Sequence, residues 1–320
     1  MTHPLLPALT AAAKHHAHPT PTACPCPAPP DATLADRPDA LVVRHGPVVA
    51  KAHAPGTPEP ALTARLAAAA HPALAHTLLA PLRDRPALLH DRLVTLWPHG
   101  TPVDRDDPDT APWEAAATLL ARLHRTPPER LPHSLPAMRG PEKAARAVAR
   151  LRAATAKDPH PDAPAVESAW AALPPWARHE APPPGPARLC HGDLHLGQLV
   201  RGPGGDWLLI DIDDLGTGDP AWDLARPAAW YACGLLTARE WTRFLGAYRA
   251  AGGPAVPADG GDPWPALDVP ARALTVQTAA LAIAKATAAD RPLDEVEREF
   301  TAACRRMSAV PPSLGSTPTK

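Results

Sequence analysis

Apolar and polar positions alternate in several short runs in the first third of the chain. The stretch "ALVVRHGPVVAKAHA", from Ala40, alternates on both sides of a His-Gly-Pro turn, which predicts a β-hairpin. Shorter runs around Leu88 and over residues 93–97 predict further strands. Between them, "PALTARLAAAAHP" predicts a helix that ends near Ala70, because the next proline excludes the helical conformation. These residues therefore predict a small sheet with one helix.

The pattern becomes helical beyond this region. "DTAPWEAAATLLARLHRTP" has apolar residues at helical spacing, with Thr110 as the expected cap and Pro112 in the first turn. "EKAARAVARLRAATA" predicts another helix, and two more are expected near residues 221–251 and 271–308. Between these helices, "ARLCHGD" predicts a short strand and "QLVRGPGGDWLLIDIDD" a hairpin. The fold class is therefore α+β.

The order of these elements predicts two lobes with flanking tails. A small β-rich lobe is expected over residues 31–97 and a larger helical lobe over residues 98–310. Residues 1–30, which are rich in proline and histidine, and residues 311–320 are predicted to be tails. The first tail contains Cys24-Pro-Cys26 and several histidines, which suit a metal ion, but its composition favours disorder.

Composition and charge exclude several classes of function. The net charge is −1 and the pI is about 7.0, so the chain has no overall basic field for nucleic acid. The five cysteines are an odd number without framework spacing, which predicts reduced thiols. We see no signal peptide and no apolar run as long as a membrane span. A cytoplasmic protein without a membrane or nucleic-acid partner is expected, in an oligomeric state that the sequence leaves open.

One segment concentrates polar side chains between apolar flanks. "LCHGDLHLGQLV" places His191, Asp193 and His195 within five residues at the end of a predicted strand. A metal cluster, a catalytic loop and a polar turn without chemistry are three interpretations of this pattern. More carboxylates follow in "LLIDIDDLGTGDPAWDLA", namely Asp211, Asp213, Asp214, Asp219 and Asp223.

Taken together, these two segments resemble the aminoglycoside phosphotransferase family, relatives of the protein kinases. The catalytic loop of that family is H-G-D-x-H-x-x-N, followed by I-D and then by G-D-P-x-x-D-L-A. The resemblance includes "VVAKAHA", "VTLWPHG" and "LLARLHRTP" and covers most of residues 40–230. It implies a two-lobe, protein-kinase-like fold. It also implies transfer of the γ-phosphate of ATP to a hydroxyl of an antibiotic, amino-alcohol, sugar or peptide.

The resemblance assigns roles to the residues of the loop and the following hairpin. Asp193 would be the general base, accepting the proton of the acceptor hydroxyl. Gln198 and Asp211 would hold Mg²⁺ from two sides through oxygen atoms. His191 would orient the loop, and Asp223 would brace it by accepting backbone N–H bonds.

The small lobe would supply the nucleotide contacts. Lys51 is expected to contact the phosphates of ATP, although an exposed lysine on an edge strand is the alternative. The segment Thr95, Leu96 and Trp97 begins the expected hinge between the lobes, whose backbone would bind adenine. Two departures from the family pattern stand out. Gln198 replaces the usual asparagine, and the expected glutamate partner of Lys51 has Glu59 as its one candidate, at the start of the helix.

The acceptor site is the least specified part of this interpretation. His195 is expected to make a structural hydrogen bond rather than a substrate contact, and Asp213 is either a ligand or a solvated charge. Aromatic and acidic side chains on the helices after Asp223 are further candidates, although such aromatics more often belong to a core. These tentative acceptor residues are Trp230, Tyr231 and Glu240.

Two rival functions remain. The first is a metal-dependent hydrolase that uses His191, Asp193, His195 and Asp211 as ligands. It would leave Lys51 unexplained. The second is a pseudokinase, a binding module with the same fold and lost chemistry, which typically lacks one of the residues Asp193, Asp211 and Lys51.

Overall fold

The structure is a computed structural model that describes residues 5–20, 24–104 and 106–309. The tail predicted over residues 311–320 lies outside this range. Within the described part, none of the helices combines the length and the apolar character needed to cross a bilayer.

The small lobe is built on a five-stranded antiparallel sheet of order β1-β2-β3-β5-β4. Alternate residues of β2 and β3 are buried, as the alternating sequence pattern requires, so the predicted hairpin is confirmed. The turn between these two strands is made at Gly46, whose φ of +52° suits glycine. The strands are β1 Asp31–Arg37, β2 Ala40–His45, β3 Val48–Ala52, β4 Ala87–Leu89 and β5 Arg92–Pro98.

A helix covers one face of this sheet. Helix α1, Leu5–Ala17, buries Leu5, Leu9 and Ala13 against β2 and β3. These three residues are spaced four apart, so they lie on one side of the helix and complete an apolar cluster with the sheet. The prediction of a disordered tail over residues 1–30 is therefore wrong over Leu5–Ala17. The high proline content of the whole segment favoured disorder in the prediction, although its first residues form a short amphipathic helix.

Helix α2, Glu59–Ala69, lies between β3 and β4 in the chain and ends where the sequence predicts. Its leucines Leu62 and Leu66 are buried in the same apolar cluster as the core of the large lobe. The buried Arg65 donates from Nε to the backbone oxygen of Leu215 at 2.8 Å. The helix therefore packs firmly against the large lobe.

The large lobe is mainly helical, and its helices differ from the prediction in two respects. The predicted helix over residues 221–251 is divided at Gly234, and the one over residues 271–308 is divided after residue 288. Thr110 is not a cap, because a 3₁₀ turn includes it and Pro112 is the N-cap instead. The helices are α3 Trp113–Arg125, α4 Gly140–Thr155, α5 Ala163–Ala171, α6 Ala221–Ala232, α7 Ala238–Ala250, α8 Trp264–Ala288 and α9 Glu295–Ala309.

Short strands in the large lobe frame the loop that follows Cys190. Strand β7, Arg188–Cys190, pairs with β10, Gly216–Gly218, and β8, Leu199–Arg201, lies between β6, Thr101–Pro102, and β9, Trp207–Leu209. These pairings place the loop of residues 191–198 beside the turn of residues 210–215. The predicted two-lobe α+β fold is confirmed.

Candidate active site

The loop that contains Asp193 depends on a glycine. Gly192 has a φ of +84°, and a Cβ at this position would lie 2.5 Å from the backbone oxygen of Asp214. A side chain would therefore be strained both by the backbone conformation and by the close approach. The loop is thereby pressed against the turn that carries Asp211, Asp213 and Asp214.

A buried carboxylate holds the backbone of this loop. Asp223 is 1% exposed; its Oδ2 accepts a hydrogen bond from the backbone N–H of His191 at 2.6 Å, and its Oδ1 accepts one from Gly192 at 2.7 Å. His191 donates from Nε2 to the backbone oxygen of Ile210 at 2.8 Å. Burial alone would raise the pKa of Asp223, but the hydrogen bonds that it accepts, first of all the one from His124, outweigh this effect and lower this pKa.

Two residues that the sequence interpretation did not single out support Asp223. His124 is fully buried in α3 and lies 2.9 Å from Asp223 through Nε2 and 2.7 Å from the hydroxyl of Tyr248 through Nδ1. Because a carboxylate only accepts, Nε2 carries a proton, and Nδ1 of a neutral ring then accepts from the tyrosine. The hydroxyl also accepts from the backbone N–H of Ala255 at 3.1 Å. His124 lies in "LLARLHRTP", a segment that carries the family resemblance, and this is the signal that could have identified it.

Removing the hydroxyl of Tyr248 is expected to destabilise the protein. In Tyr248→Phe the Nδ1 atom of His124 and the N–H of Ala255 lose a buried partner, at about 1–3 kcal/mol for each unsatisfied group. Tyr231→Phe is the matched control, because Tyr231 is the other tyrosine of the chain and contributes ring contacts with Trp241 and Trp264. Denaturant unfolding measures both variants. Equal midpoints for the two would show that the hydroxyl of Tyr248 does not stabilise the fold.

Asp193 projects from the loop with about a third of its side chain exposed. Its Oδ1 lies 2.7 Å from Arg226 and its Oδ2 lies 3.0 Å from Lys143. Burial would raise the pKa of Asp193, but the charges of Lys143 and Arg226 outweigh this effect and lower the pKa to about 2. Because the folded-state pKa is depressed, the stabilisation by these ion pairs is present at neutral pH and is lost as the pH falls through about 2.

A lysine from the small lobe meets two carboxylates of the large lobe. The Nζ atom of Lys51, on β3, lies 2.7 Å from Asp211 Oδ1 and 2.9 Å from Asp213 Oδ2. Burial would lower the pKa of Lys51, but Asp211 and Asp213 outweigh it and raise this pKa. His53 adds a second contact between the lobes, at 3.0 Å from Asp213. Among the described residues, the ion pairs of Lys51 do not include Glu59.

The donor set around Asp211 suits a hard cation. The side-chain amide of Gln198 lies 3.2 Å from Asp211 Oδ2, and Asp213 also converges on this corner. Mg²⁺ prefers carboxylate, amide and phosphate oxygens. Rotating the Gln198 amide by 180° would present its oxygen in place of its nitrogen, since the two are assigned from the hydrogen-bond network. These residues therefore fit the magnesium ion that the sequence interpretation implies.

Helix α4 adds cations that the sequence interpretation missed. Lys143 lies 2.9 Å from Asp214 as well as near Asp193, and Arg139 lies 2.6 Å from Asp214. Arg226, on α6, comes three residues after Asp223. The sequence contains only a weak indication of Lys143: the chain has 26 arginines and only six lysines, so each lysine is more informative than an arginine. Arg226 directly follows the family motif D-L-A.

The predicted hinge residues lie inside β5 rather than in the connection between the lobes. Thr95 pairs with Lys51 across the sheet, and its hydroxyl lies 2.9 Å from both His53 Nε2 and the indole nitrogen of Trp97. Leu96 accepts a backbone hydrogen bond from Leu82 at 2.8 Å. Contact of this segment with adenine stays a prediction.

The tentative acceptor residues have other contacts in the structure. Tyr231 stacks on Trp241 with ring centroids 5.4 Å apart, and Trp230 is half-buried against the core. Glu240 completes the capping box of α7 and accepts from the indole of Trp113 at 3.2 Å. His195 accepts a hydrogen bond at Nδ1 from the backbone of the residue two positions later. These contacts supply no argument for an acceptor role, which stays a prediction for all four residues.

The residues of the rival hydrolase site do not converge on a metal ion. Among the described residues, His191, Asp193, His195 and Asp211 form no set of three whose ligand atoms all lie within 4.8 Å of one another. His191 donates a hydrogen bond to the backbone oxygen of Ile210, and Asp193 is paired with Lys143 and Arg226. The geometry therefore gives this rival no support.

Comparison with known proteins agrees with the geometry of the site. The family model of the phosphotransferase enzyme family, APH, matches residues 32–268, and the chain belongs to this family of phosphotransferase enzymes. No curated protein matches the chain significantly.

Solved structures share the fold over nearly the whole chain. The choline/ethanolamine kinase family protein from Mesorhizobium loti has a TM-score of 0.54 at 19% identity, over 89% of this chain and 90% of that one. A thermostable mutant of aminoglycoside phosphotransferase APH(4)-Ia has a TM-score of 0.60 at 14% identity, over 87% of this chain and 94% of that one. Spectinomycin phosphotransferase APH(9)-Ia, in complex with ADP and spectinomycin, has a TM-score of 0.54 at 12% identity, over 88% of this chain and 90% of that one. At these identities the likeness shows the fold and not the substrate.

Proposed function

We propose that this protein transfers the γ-phosphate of ATP to a hydroxyl group of a small molecule. The observation that carries the proposal is the meeting of Lys51 and Asp211 across the two lobes, 2.7 Å apart, beside an ionised and partly exposed Asp193. Phosphoryl transfer depends mostly on positioning and on neutralising phosphate charge, and this site provides both kinds of group. A pseudokinase would typically lack one of these three residues.

On the nucleotide side, Lys51 would exchange part of its contact with the carboxylates for the phosphates of ATP. Asp211 and Gln198, with Asp213 beside them, would hold Mg²⁺, which neutralises phosphate charge when bound. The backbone of residues 95–97 would contact adenine from the small lobe.

On the acceptor side, Asp193 would accept the proton of the attacking hydroxyl. Its low pKa in the free protein reflects the charges of Lys143 and Arg226. Bound phosphate would compete for these two cations, and the pKa of Asp193 would then rise toward its ordinary value. The carboxylate would thereby become a better base when the nucleotide is in place.

The charges around Asp193 indicate the class of acceptor. A site for a polycationic antibiotic should contain an excess of carboxylates. Here every carboxylate of the site lies within 3.0 Å of a cation. The cations are Lys51, Arg139, Lys143 and Arg226, against the carboxylates Asp193, Asp211, Asp213 and Asp214. A neutral or anionic hydroxyl compound therefore fits better than an aminoglycoside.

A cavity of about 350 Å³ adjoins the same elements and offers room for the body of such an acceptor. It lies between the start of α4 and strand β10, and its walls are largely apolar. Among its lining residues are Met138, Pro141, Trp176, His179 and Thr217.

The test is incubation with ATP, Mg²⁺ and a panel of hydroxyl compounds, followed by mass spectrometry for a phosphate adduct. We expect a neutral or anionic member of the panel, such as a sugar, a hydroxy acid or a hydroxyl-bearing peptide, to be phosphorylated faster than aminoglycosides or choline. Lys143→Gln should then raise the KM for an anionic acceptor more than the KM for ATP. Nucleotide binding without any product across the panel would favour the pseudokinase, and preference for a polycation would contradict the charge argument.

A further inference from the structure

Four metal-binding side chains converge in the small lobe, outside the site described above. They are His18, Cys24, Cys26 and His45, and one ligand atom from each lies within 4.8 Å of all the others. The Nε2 atom of His18 lies 3.2 Å from the sulfur of Cys26 and 3.3 Å from that of Cys24. The Nε2 atom of His45 lies 3.4 Å from the sulfur of Cys24.

Three separate pieces of the chain bring these residues together. His18 directly follows α1, the two cysteines lie in the segment that leads to β1, and His45 is the last residue of β2. The N–H of Gly46 donates to the backbone oxygen of Pro30 at 2.8 Å, which fixes the cysteine segment to the β2–β3 turn. A Cβ at position 46 would lie 2.3 Å from the sulfur of Cys26, so the glycine leaves the room that this thiol occupies.

A carboxylate orients one of the imidazoles. His45 is 1% exposed, and its Nδ1 atom lies 2.6 Å from Asp31 Oδ1. Because the carboxylate accepts, Nδ1 carries the proton and Nε2 keeps its lone pair, which is directed at the cysteines. Metal-bound histidines in proteins are usually held in this way by a carboxylate or a carbonyl oxygen.

We propose that His18, Cys24, Cys26 and His45 form a structural zinc site. A tetrahedral ion with Zn–S distances of about 2.3 Å and Zn–N distances of about 2.0 Å separates its nitrogen and sulfur ligands by about 3.5 Å. The three nitrogen–sulfur distances, 3.2, 3.3 and 3.4 Å, are close to this value. Two thiolates and two imidazoles in this geometry suit Zn²⁺, and binding it releases the two thiol protons.

The site is structural because four protein ligands leave no open position for a substrate. It also lies apart from the phosphotransferase centre. Lys51 pairs with Val42 across the sheet, and His45 is three residues further along β2, about 10 Å away along the strand. The ion would therefore clamp α1 and the segment before β1 onto the sheet.

Most of this clamp lies outside the part of the chain that the family model matches. The family match begins at residue 32, so three of the four ligands precede it and one lies within it. The proposal is therefore independent of the proposed phosphotransferase reaction.

One other group of potential ligands, His124, Cys190 and Asp223, occurs among the described residues. Two of its members are already hydrogen-bonded to each other at 2.9 Å, and Asp223 also holds the catalytic loop. This group supplies three ligands and has its own role in the large lobe. It serves as an internal comparison for the zinc measurement.

The test is the metal content of the full-length protein, purified under reducing conditions from zinc-supplemented cells. We expect about one zinc per chain by elemental analysis, and near zero in the double variant Cys24→Ser/Cys26→Ser. His18→Ala should also lower zinc occupancy. The matched controls are Cys233→Ala, a buried cysteine of the large lobe, and His15→Ala, an exposed histidine of α1. Both controls should retain zinc.

A second measurement covers the case in which the cysteine variant does not fold. Titration of the wild-type thiols with a mercurial should release one zinc to a chromophoric chelator. Replacement by Co²⁺ should give the visible d–d bands of a tetrahedral ion together with thiolate-to-cobalt charge transfer in the near ultraviolet. Hydrogen exchange at the amides of α1 should accelerate when the metal is removed.

Several results would overturn the proposal. They are the absence of zinc in the wild type under these conditions, retention of zinc by the double cysteine variant, and an octahedral cobalt spectrum without charge transfer. A Cys24–Cys26 disulfide in protein isolated without air would assign the pair to redox chemistry instead. Unchanged exchange in α1 after metal removal would contradict the clamping role.

Discussion

Asp193→Asn is expected to lower kcat for phosphoryl transfer by about 10²–10⁴-fold, with the KM for ATP nearly unchanged. Asparagine has the same shape, and its Oδ1 can still accept from Arg226 or from Lys143, but its NH2 group cannot accept from the other cation. The amide also cannot accept the proton of the acceptor hydroxyl. The contacts of Lys51 and Asp211 lie on the nucleotide side and do not involve Asp193. Steady-state kinetics with ATP and acceptor varied separately measure the two effects.

A matched variant separates proton transfer from the loss of a negative charge. Asp214→Asn also removes a carboxylate that lies within 3.0 Å of Lys143, but it leaves Asp193 in place. Its kcat should fall much less. If the two variants lost the same activity, the decisive property of Asp193 would be its charge beside Lys143. Near-normal turnover in Asp193→Asn would remove this residue from the role of base.

The positions of Lys51, Asp193, Asp211 and Asp223 were predictable from sequence because these residues lie in short recognisable segments. Strand alternation placed Lys51 on β3, and the H-G-D and I-D segments placed Asp193 and Asp211 on adjacent turns. Asp223 followed from the same motif. The pairing of the consecutive strands β8 and β9 brings Gln198 beside Asp211, which a local pattern can show, whereas the contact of Lys51 with Asp211 depends on the packing of the two lobes.

The acceptor side was not predictable in the same way. Arg139 and Lys143 lie at the start of α4, far from the catalytic loop in sequence. Only the packing of the large lobe brings both to Asp214 and Lys143 also to Asp193. An amphipathic pattern shows which face of a helix is buried but not which loop it meets. Tyr231, one of the aromatic residues predicted for this side, stacks on Trp241 and Trp264, and these contacts likewise depend on helix packing.

The first 30 residues show how composition misleads. Their prolines and histidines predicted disorder, yet apolar residues four apart in α1 bury a face against the sheet. The spacing of His18, Cys24, Cys26 and His45 matches no familiar zinc motif, since His45 lies in β2, well beyond the cysteines in the sequence. Only the folded hairpin brings His45 to the others.

Asp211→Asn is expected to remove the magnesium dependence of nucleotide binding and to lower kcat on the order of 10²–10³-fold or more. Asparagine is a better test substitution than alanine, because Asp211 has a φ of +63°. Asparagine tolerates this left-handed conformation more readily than alanine does. Calorimetric titration with an ATP analogue, with Mg²⁺ and with chelator, measures the dependence directly.

The physical reason is the loss of the charge that would hold the ion at this corner. Lys51 would keep Asp213 as a partner, so the fold should survive. Lys51→Met should instead raise the KM for ATP and lower kcat while binding still responds to Mg²⁺, because the carboxylates remain. Asp91→Asn is the matched control, since Asp91 has a φ of +61° in an exposed turn and should leave binding unchanged. If Asp211→Asn still bound nucleotide more tightly with Mg²⁺ than with chelator, the ion would be held by other residues.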